Sequence, residues 1–200
     1  MAKQQWKPGN MLYPLPAVLV TVADGKGQDN IFTVAWAGTI CTNPPMVSIS
    51  VRPERYSYSM IQETGEFVIN LTTESLTYVV DYCGVKSGKE VDKFEKLELT
   101  KEKATFVKAP LLQEAPVSIE CRVEEVKHLG SHDLFLARVL AVHAEEAYMD
   151  EKQRFDLAKA QPLAYSHGEY FGLGEKLGKF GFSIKKGSKS QQTTQKKRRK

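Results

Sequence analysis

The sequence has few cysteines and no long hydrophobic run. No apolar stretch approaches the ~18 residues of a membrane-spanning helix, and the first residues contain no apolar segment of signal-peptide type. We therefore expect a cytoplasmic protein that does not enter a membrane. Cys41, Cys83 and Cys121 are far apart and form neither a CxxC pair nor a disulfide framework, so we expect free, buried thiols.

Acidic residues are missing from the end of the chain. Residues 185–200 carry eight basic residues and no acidic one, and removing these charges from the formal net charge of +4 leaves −4 for residues 1–184. Low-complexity, highly charged segments do not bury enough apolar surface to fold. We therefore expect one globular domain over residues 1–184 and a disordered basic tail over residues 185–200. Basic tails can contact nucleic acid or anionic membranes, but we interpret this one as a solvated extension.

Alternation of apolar and polar residues dominates the chain and predicts β-strands. Two shorter segments have helical character: residues 55–65, with Ser57 as the expected N-cap and Gly65 as the expected C-terminal cap, and residues 72–84. Strands and helices do not alternate regularly, so we expect a mainly β protein, a β-barrel with short helices. The predicted strands are residues 17–23, 31–38, 46–52, 66–71, 117–130 and 132–146, and loops are expected over residues 85–116 and 148–183.

Three motifs of nucleotide or metal sites are incomplete. The segment GKGQDN begins like a dinucleotide fingerprint, but Asn30 stands where the third glycine is needed, and a strand follows instead of a helix. The segment GEKLGKFG is one residue short of a phosphate-binding loop and lacks the hydroxyl residue after Lys179. His128 and His132 have a metal-binding spacing only on a helix, and Gly130 and the strand context break that face. We therefore predict no metal site, and no hydrolase motif indicates a catalytic side chain.

One segment combines the residue types that a flavin mononucleotide (FMN) site requires. Residues 36–39, Trp-Ala-Gly-Thr, place small residues beside an indole, which lets the backbone approach a flat ring closely. Ser50 and Arg52 share one face of a strand. Arg55 and Ser57 follow at the start of a helix, where free N–H groups favour anions. The same residues equally fit a protein without this ligand, with the tryptophan in the core, the hydroxyls along a strand and the arginines on the surface.

Six segments, taken in order along the chain, carry a resemblance to a known family. They are NIFTVAWAGTICTNPPMVSISVRPERYSYSMI, GEFVINL, SGKEVDKF, APLLQEAPVSIECRV, GSHDLFLARV and YSHGEYFGLG. Through them the chain resembles the flavin reductase-like family of FMN-binding split barrels, particularly its flavoredoxin-type branch, from about Pro14 to about Ser183. The resemblance implies a split barrel of Greek-key type that forms a homodimer, with FMN bound noncovalently near the subunit interface.

The resemblance also assigns roles to residues by their position. The residues implied for the isoalloxazine ring are Trp36, Ala37, Gly38 and Thr39, and those implied for the phosphate are Ser50, Arg52, Arg55 and Ser57. Lys93 is implied near the phosphate, with Ser87 and Gly88 in a neighbouring loop. A substrate pocket over the open face of the flavin is implied for His167 and Tyr170. Two alternatives without a role in ligand binding stay open: Lys93 as an ordinary surface lysine and His167 as a structural hydrogen-bonding residue.

The resemblance implies a flavin-dependent redox protein. The leading hypothesis is an NAD(P)H-dependent flavin reductase, in which the nicotinamide stacks on the flavin and delivers hydride to its N5 atom. The alternative is a flavoredoxin-type electron carrier that a partner protein reduces. A third hypothesis, from another class, is a binding module that acts through residues 185–200, with the barrel as a scaffold.

Overall fold

Strands make up most of the regular structure. The computed structural model describes residues 2–184, and the predicted basic tail lies outside the described residues. Within residues 2–184 no helix is long and apolar enough to cross a membrane. The strands are β1 (Leu15–Pro16), β2 (Val18–Ala23), β3 (Asp29–Val34), β4 (Ala37–Thr42), β5 (Pro45–Val51), β6 (Glu66–Asn70), β7 (Lys101–Glu102), β8 (Leu111–Leu112), β9 (Val117–His128), β10 (Asp133–Ala144), β11 (Leu163–Ser166) and β12 (Glu169–Gly172). The helices are α1 (Tyr56–Thr64), α2 (Thr77–Val85) and α3 (Lys93–Lys96), with 3-10 turns at Glu74–Leu76, Glu146–Tyr148, Leu157–Ala160 and Phe182–Ile184.

Seven strands form one antiparallel sheet in the order β3-β2-β6-β9-β10-β5-β4. The consecutive strands β5 and β6 are separated in space by β9 and β10, a non-sequential order that is typical of Greek-key connections. The long hairpin of β9 and β10 joins the two halves, because β9 pairs with β6 and β10 pairs with β5. The expected mainly β fold with short helices is therefore confirmed.

The sheet curls so that strands from its two ends share one core. Phe32 of β3 and Val47 and Ile49 of β5 belong to the same buried cluster, although β3 and β5 lie far apart in the strand order. Burying such apolar surface contributes about 25 cal/mol per Å². Beyond β3, the carbonyl oxygen of Trp36 accepts a hydrogen bond from the Ser50 amide at 2.8 Å. This hydrogen bond extends the β4–β5 pairing by one residue beyond the Ala37–Ile49 pair. Because only residues 35 and 36 separate β3 from β4, the chain itself joins the two edge strands of the sheet, and we call this junction the seam of the barrel.

Two strand predictions need correction. The predicted strand 31–38 is interrupted after Val34, and after residues 35 and 36 the chain continues as β4, which pairs with β5 at the other edge of the sheet. The predicted loop 148–183 contains β11 and β12, which form a small separate sheet with β1. Their hairpin turns at His167 and Gly168, both with positive φ (50° and 86°). Strands of four residues are too short to give a periodic signal, so their pairing could not be seen in the sequence.

The helix boundaries differ from prediction at three of four ends. Helix α1 begins after Arg55, which is its N-cap, so the prediction of Ser57 as the N-cap is wrong. Gly65 ends α1 in the left-handed conformation (φ 67°), which confirms the predicted C-terminal cap. Helix α2 begins later than residue 72, because a 3-10 turn precedes it, and it continues past Gly84 to Val85.

The three cysteines are free, as expected. Cys83 and Cys121 are buried, and burial raises the pKa of their thiols to about 11 and about 12, respectively. Cys41 on β4 is only partly buried, which corrects the expectation for that thiol.

A buried carboxylate fixes the turn between β9 and β10 to helix α1. Asp133 accepts hydrogen bonds from the Tyr58 hydroxyl and, at 2.9 Å, from Nδ1 of His128. The Tyr58 hydrogen bond and the His128 contact hold the pKa of Asp133 below its ordinary value. Because the turn of residues 129–132 ends at Asp133, these contacts set the position of His132 relative to α1.

We expect Tyr58→Phe to reduce the free energy of unfolding by about 1–2 kcal/mol, because it removes one donor from a buried carboxylate. The control is Tyr78→Phe on the exposed face of α2, which should change stability by less than about 0.5 kcal/mol. Urea unfolding followed by circular dichroism measures both.

The loss of stability in Tyr58→Phe should depend on pH. The pKa of Asp133 is lower in the folded state than its ordinary value of 3.8. The ionised Asp133 carboxylate therefore adds to the free energy of unfolding above pH 3.8, and this stabilisation is lost as the pH falls through the lower folded-state pKa. Equal stability of wild type and Tyr58→Phe at neutral pH would contradict the role given to this hydrogen bond.

Candidate functional site

A cleft of about 740 Å³ opens at the seam of the barrel. Its walls come from the end of β3, the end of β5, the last turn of α2, the β9–β10 turn and the β11–β12 hairpin. Its volume lies in the range of ordinary small-molecule sites. These five elements are far apart in the sequence, and only the curled sheet brings them together.

One end of the cleft is cationic. Arg52 follows β5 directly, and Arg55 stands at the start of α1, where its Nη1 donates to the carbonyl oxygen of Gly84 at 3.0 Å. Within residues 2–184, neither guanidinium forms an ion pair with a carboxylate. The first turn of α1 contains no acidic residue and its N-cap makes no side-chain hydrogen bond to the helix amides. This end can therefore receive an anion with several oxygen atoms.

Two other basic groups respond to the positive charge of this end. Burial lowers the pKa of His132, and the Arg52 guanidinium lowers it further, so the imidazole is neutral at neutral pH. Burial also lowers the pKa of Lys93, and Arg55 adds to that effect. The part of each shift that the arginines cause reflects a positive potential at this end, and that potential favours binding of negative charge.

The other end of the cleft is aromatic and apolar. The Trp36 indole is 38% exposed and lies parallel to the His132 ring, with centroids 6.2 Å apart and an angle of 4° between the planes. Beyond Trp36 the cleft adjoins a second compartment of about 500 Å³, which Ala37 and Gly38 line together with residues 9–13. A Cβ atom placed on Gly38 would meet no atom within 4 Å, so the space in front of this backbone is open.

The opposite wall contains a tyrosine–aspartate pair. The Tyr170 hydroxyl donates to Oδ1 of Asp81 at 3.2 Å, and both residues line the cleft. Burial and the Asp81 carboxylate raise the pKa of Tyr170 to about 12, so its hydroxyl stays protonated at neutral pH. The pair joins β12 to α2 across this side of the cleft.

The structure brings most of the predicted site residues together. Trp36, Ser50, Arg52, Arg55 and Tyr170 line the main cleft, and Ala37 and Gly38 line the adjoining compartment. Thr39 lies further along β4, is exposed and lines neither.

Ser57 and Lys93 lie behind the cleft instead of in it. Ser57 is buried, and its hydroxyl accepts a hydrogen bond from Nδ2 of Asn30 at 2.7 Å, so its side chain faces the body of the protein. Lys93 is 2% exposed and is no surface lysine. Its Nζ donates to the carbonyl oxygens of Cys83 and Lys86 at 3.5 and 3.3 Å, at the C-terminal end of α2. The helix dipole is favourable for a cation there.

The loop before Lys93 packs tightly on the start of α1. A Cβ atom on Gly88 would lie 2.5 Å from the side chain of Asn30 and 2.7 Å from the ring of Tyr56, so only glycine fits. This contact holds the end of α2 and the start of α1 together, with Arg55 between them.

His167 lies in the turn of the β11–β12 hairpin. Its ring packs against Tyr13 with centroids 4.2 Å apart, its Nδ1 contacts the Ser166 hydroxyl at 3.1 Å, and its Nε2 lies 3.2 Å from the Met11 sulfur. These contacts attach the N-terminal segment to the hairpin beside the cleft, while Gly168 next to it lines the cleft itself.

Sequence reasoning missed His132 and Asp81. His132 belonged to a segment considered only for metal binding, and within the described residues no group of three or more His, Cys, Asp or Glu side chains could hold a metal ion. Asp81 lies in a short helix, and no periodic signal shows which of its residues face a cleft formed by other elements.

Comparison with known proteins gives a consistent assignment. A family model described as "Flavin reductase like domain" matches residues 11–174. The structure of flavoredoxin of Desulfovibrio vulgaris (Miyazaki F) matches with a TM-score of 0.86 and 31% identity, covering 92% of this chain and 100% of that one. The FMN-binding protein from Thermus thermophilus with bound 1-cyclohex-2-enone matches with a TM-score of 0.75 and 27% identity, covering 90% and 98%.

Among sequence relatives, the NADH:riboflavin 5'-phosphate oxidoreductase of Streptomyces pristinaespiralis is 27% identical over 121 residues, which are 60% of this chain and 66% of that protein. The family model covers most of the chain, and the split barrel agrees with the fold of the solved relatives. The chain therefore belongs to the flavin reductase-like family.

Proposed function

We propose that this protein binds FMN noncovalently in the seam cleft and acts as an NAD(P)H-dependent flavin reductase. The observation that carries the proposal is the combination, in one cleft, of two arginines without carboxylate partners and an aromatic end with open backbone at Gly38. Such a site fits a ligand with an anionic group at one end and a flat ring at the other. The similarity to an FMN-binding protein and to an NADH:riboflavin 5'-phosphate oxidoreductase supports this ligand and this activity.

The residues have separate tasks in this proposal. Arg52 and Arg55 bind the phosphate, and Ser50 provides a hydroxyl between them and the ring. Residues 36–38 provide the surface and the backbone groups for the isoalloxazine. When bound, FMN supplies the chemistry of hydride and electron transfer. In this proposal the protein contributes binding, orientation and exclusion of water, and no side chain acts as a catalytic acid or base.

Tyr170 and Asp81 border the side of the cleft that a second ligand can approach. A protonated tyrosine hydroxyl and a carboxylate offer one donor and several acceptor sites, which suit an uncharged amide such as that of nicotinamide. The contacts of His167 with Met11 and Tyr13 support its alternative role as a structural residue, which positions the N-terminal segment beside the cleft.

A second candidate function is that of an electron carrier reduced by a partner protein. It is favoured by the similarity of the whole described fold to a flavoredoxin. The same cleft would hold the same cofactor, so the two functions differ only in the source of electrons.

Transient kinetics distinguish the two functions. In stopped-flow mixing of FMN-loaded protein with NADH or NADPH, a reductase should lose the 450 nm-region flavin absorbance at least about tenfold faster than free FMN at the same concentration. A rate equal to that of free FMN with both nucleotides would remove the reductase and leave the carrier.

We expect Arg52→Ala to weaken FMN binding by about 10- to 150-fold, because a charge-assisted hydrogen bond to a phosphate contributes about 1.5–3 kcal/mol. The matched control is Arg138→Ala on β10, which removes a guanidinium paired with Glu124 away from the cleft. Fluorescence titration with FMN measures both. Equal affinity of wild type and Arg52→Ala would exclude Arg52 from the phosphate site.

Gly38 provides a test of the ring compartment. Because an added side chain meets open space there, Gly38→Val should leave the melting temperature of the flavin-free protein within about 2 °C of wild type, while the β-branched side chain enters the compartment. We expect the affinity for riboflavin, which lacks the phosphate, to fall at least about tenfold, a loss of about 1.4 kcal/mol. Unchanged riboflavin affinity would show that the ring lies elsewhere.

A further inference from the structure

The compartment that we assign to the flavin ring has one wall outside the barrel strands. Residues 9–13 line this compartment of about 500 Å³, together with residues of β4 and β5 such as Gly38 and Ser48. Asn10 also lines the seam cleft, so the same segment borders both cavities. We call residues 9–13 the N-terminal wall. A ligand that occupies both cavities lies against this wall.

Few contacts hold the N-terminal wall in place. Residues 9–12 are exposed, and Tyr13 is partly buried. Outside the helices and strands of residues 2–184, the wall makes one backbone hydrogen bond, from the Tyr13 amide to the Met11 carbonyl oxygen at 3.1 Å, and this bond lies within the wall itself. The pairing of β1 with β11 anchors the chain only from Leu15 onwards. Segments with so few contacts open at a low cost in free energy, so the position of the wall depends on side chains that reach it.

His167 is the side chain that reaches the wall from the β11–β12 hairpin. Its ring lies 4.2 Å from the Tyr13 ring between centroids, and its Nε2 lies 3.2 Å from the Met11 sulfur. With the ring hydrogen on Nε2, the Ser166 hydroxyl donates to Nδ1 at 3.1 Å and Nε2 donates to the sulfur, a weak acceptor. Tyr13 also meets Tyr165 edge-on at 6.2 Å. Among the described residues, the Met11 contact is the only side-chain hydrogen bond that the wall makes.

The hairpin turn does not by itself explain a histidine at this position. Ser166 pairs with Glu169, so His167 and Gly168 form a two-residue loop, and both have positive φ (50° and 86°). A loop of this kind favours asparagine followed by glycine, because both central residues adopt the left-handed region. The imidazole is therefore better explained by its contacts with the N-terminal wall than by the turn.

We propose that His167 is a positioning residue that holds the N-terminal wall at the ring compartment, and that the wall slows the release of bound FMN. The inference rests on the proposed binding of FMN in the seam cleft and specifies how the ring end of that site is closed. His167 acts through Met11 and Tyr13 and not by contact with the flavin. Arg52 and Arg55 lie outside the wall, so they attract the phosphate whether or not the wall is attached. Slow release keeps the cofactor on the protein from one turnover to the next.

The variant that tests this role is His167→Asn. Asparagine suits the turn, so the hairpin should form, but its short side chain carries no ring to pack on Tyr13. We expect the melting temperature of the flavin-free protein to stay within about 2 °C of wild type. Trp6→Ala is the matched control, because Trp6 precedes the wall, is 69% exposed and lines neither cavity.

The first experiment measures the release of FMN from the full chain. FMN-loaded protein is mixed in a stopped-flow instrument with an excess of apoflavodoxin, which captures the released flavin, and flavin fluorescence is followed. Because His167→Asn removes one hydrogen bond and one aromatic contact, we expect the dissociation rate constant to rise at least about fivefold, against less than about twofold in Trp6→Ala. The association rate constant should not fall. A dissociation rate in His167→Asn within about twofold of wild type would overturn the proposal.

The second experiment separates action through the wall from direct action on the flavin. In a Met11→Ala/Tyr13→Ala background the imidazole has no partner in the wall. His167→Asn should then change the dissociation rate constant by less than about twofold, because the effects of residues that share one contact are not additive. A fivefold rise in this background as well would mean that His167 touches the flavin or supports the fold in general, and the positioning role would be lost.

The third experiment needs no flavin. Chymotrypsin digestion of the flavin-free chain, followed by mass spectrometry, should cut after Met11 or Leu12 at least about threefold faster in His167→Asn, because the detached wall is more accessible. Cleavage after Trp6 is the internal control and should proceed at the wild-type rate. Equal cleavage within the wall would show that His167 does not hold it. A wild-type chain that binds no FMN would instead overturn the proposed function, and the digestion would still decide whether His167 attaches the wall.

Discussion

The two-residue connection between β3 and β4 forms the seam at which the curled sheet closes, and the hydrogen bond from the Ser50 amide to the Trp36 carbonyl oxygen begins the β4–β5 pairing there. Because β3 and β4 are the two edge strands of the seven-stranded sheet, so short a connection between them requires the sheet to curl. The seam places the end of β5, and with it Arg52, next to the end of β3. It also leaves a gap between the two halves of the barrel, and that gap is the cleft. The junction between β3 and β4 therefore both closes the barrel around its core and creates the cleft.

The cleft concentrates positive charge that the protein does not neutralise. Arg52 and Arg55 have no carboxylate partner within the described residues, His132 is held neutral, and Lys93 is buried against helix carbonyls. Keeping like charges close costs free energy in the absence of a ligand. A phosphate at this end removes the repulsion between the arginines and adds charge-assisted hydrogen bonds. The free energy of binding an anion is therefore more favourable than the new contacts alone would make it. Lys93, although it does not line the cleft, contributes to this potential from behind.

The sequence analysis succeeded where a local pattern decides the structure and failed where distant elements decide it. Alternation identified the long strands, and Gly65 ended α1 as expected because a left-handed cap is a property of one residue. Ser57 was assigned to the phosphate from its expected place at the start of a helix and from the resemblance, but the N-cap lies two residues earlier at Arg55, and the Ser57 hydroxyl accepts a hydrogen bond from Asn30. The burial of Lys93 depends on how α2 and α3 pack, and Asp81 and His132 enter the cleft only through the curl of the sheet. None of these placements leaves a periodic signal.

A single chain surrounds the cationic end of the site more completely than it surrounds the aromatic end. The cationic end is complete in one copy, because β5, α1 and α2 surround it and the packing of Gly88 on Tyr56 fixes their arrangement. The aromatic end is open to solvent at Trp36 and at Gly38 of β4, whose outer edge has no strand partner within residues 2–184. Exclusion of water strengthens electrostatic interactions in a site and suppresses side reactions of reactive intermediates, so a cover at this end would serve the proposed chemistry as well as stability. Anchoring a ligand by its phosphate and shielding its ring are then separate tasks: three elements of the folded chain surround the anchor, whereas the ring end is open to solvent in that chain.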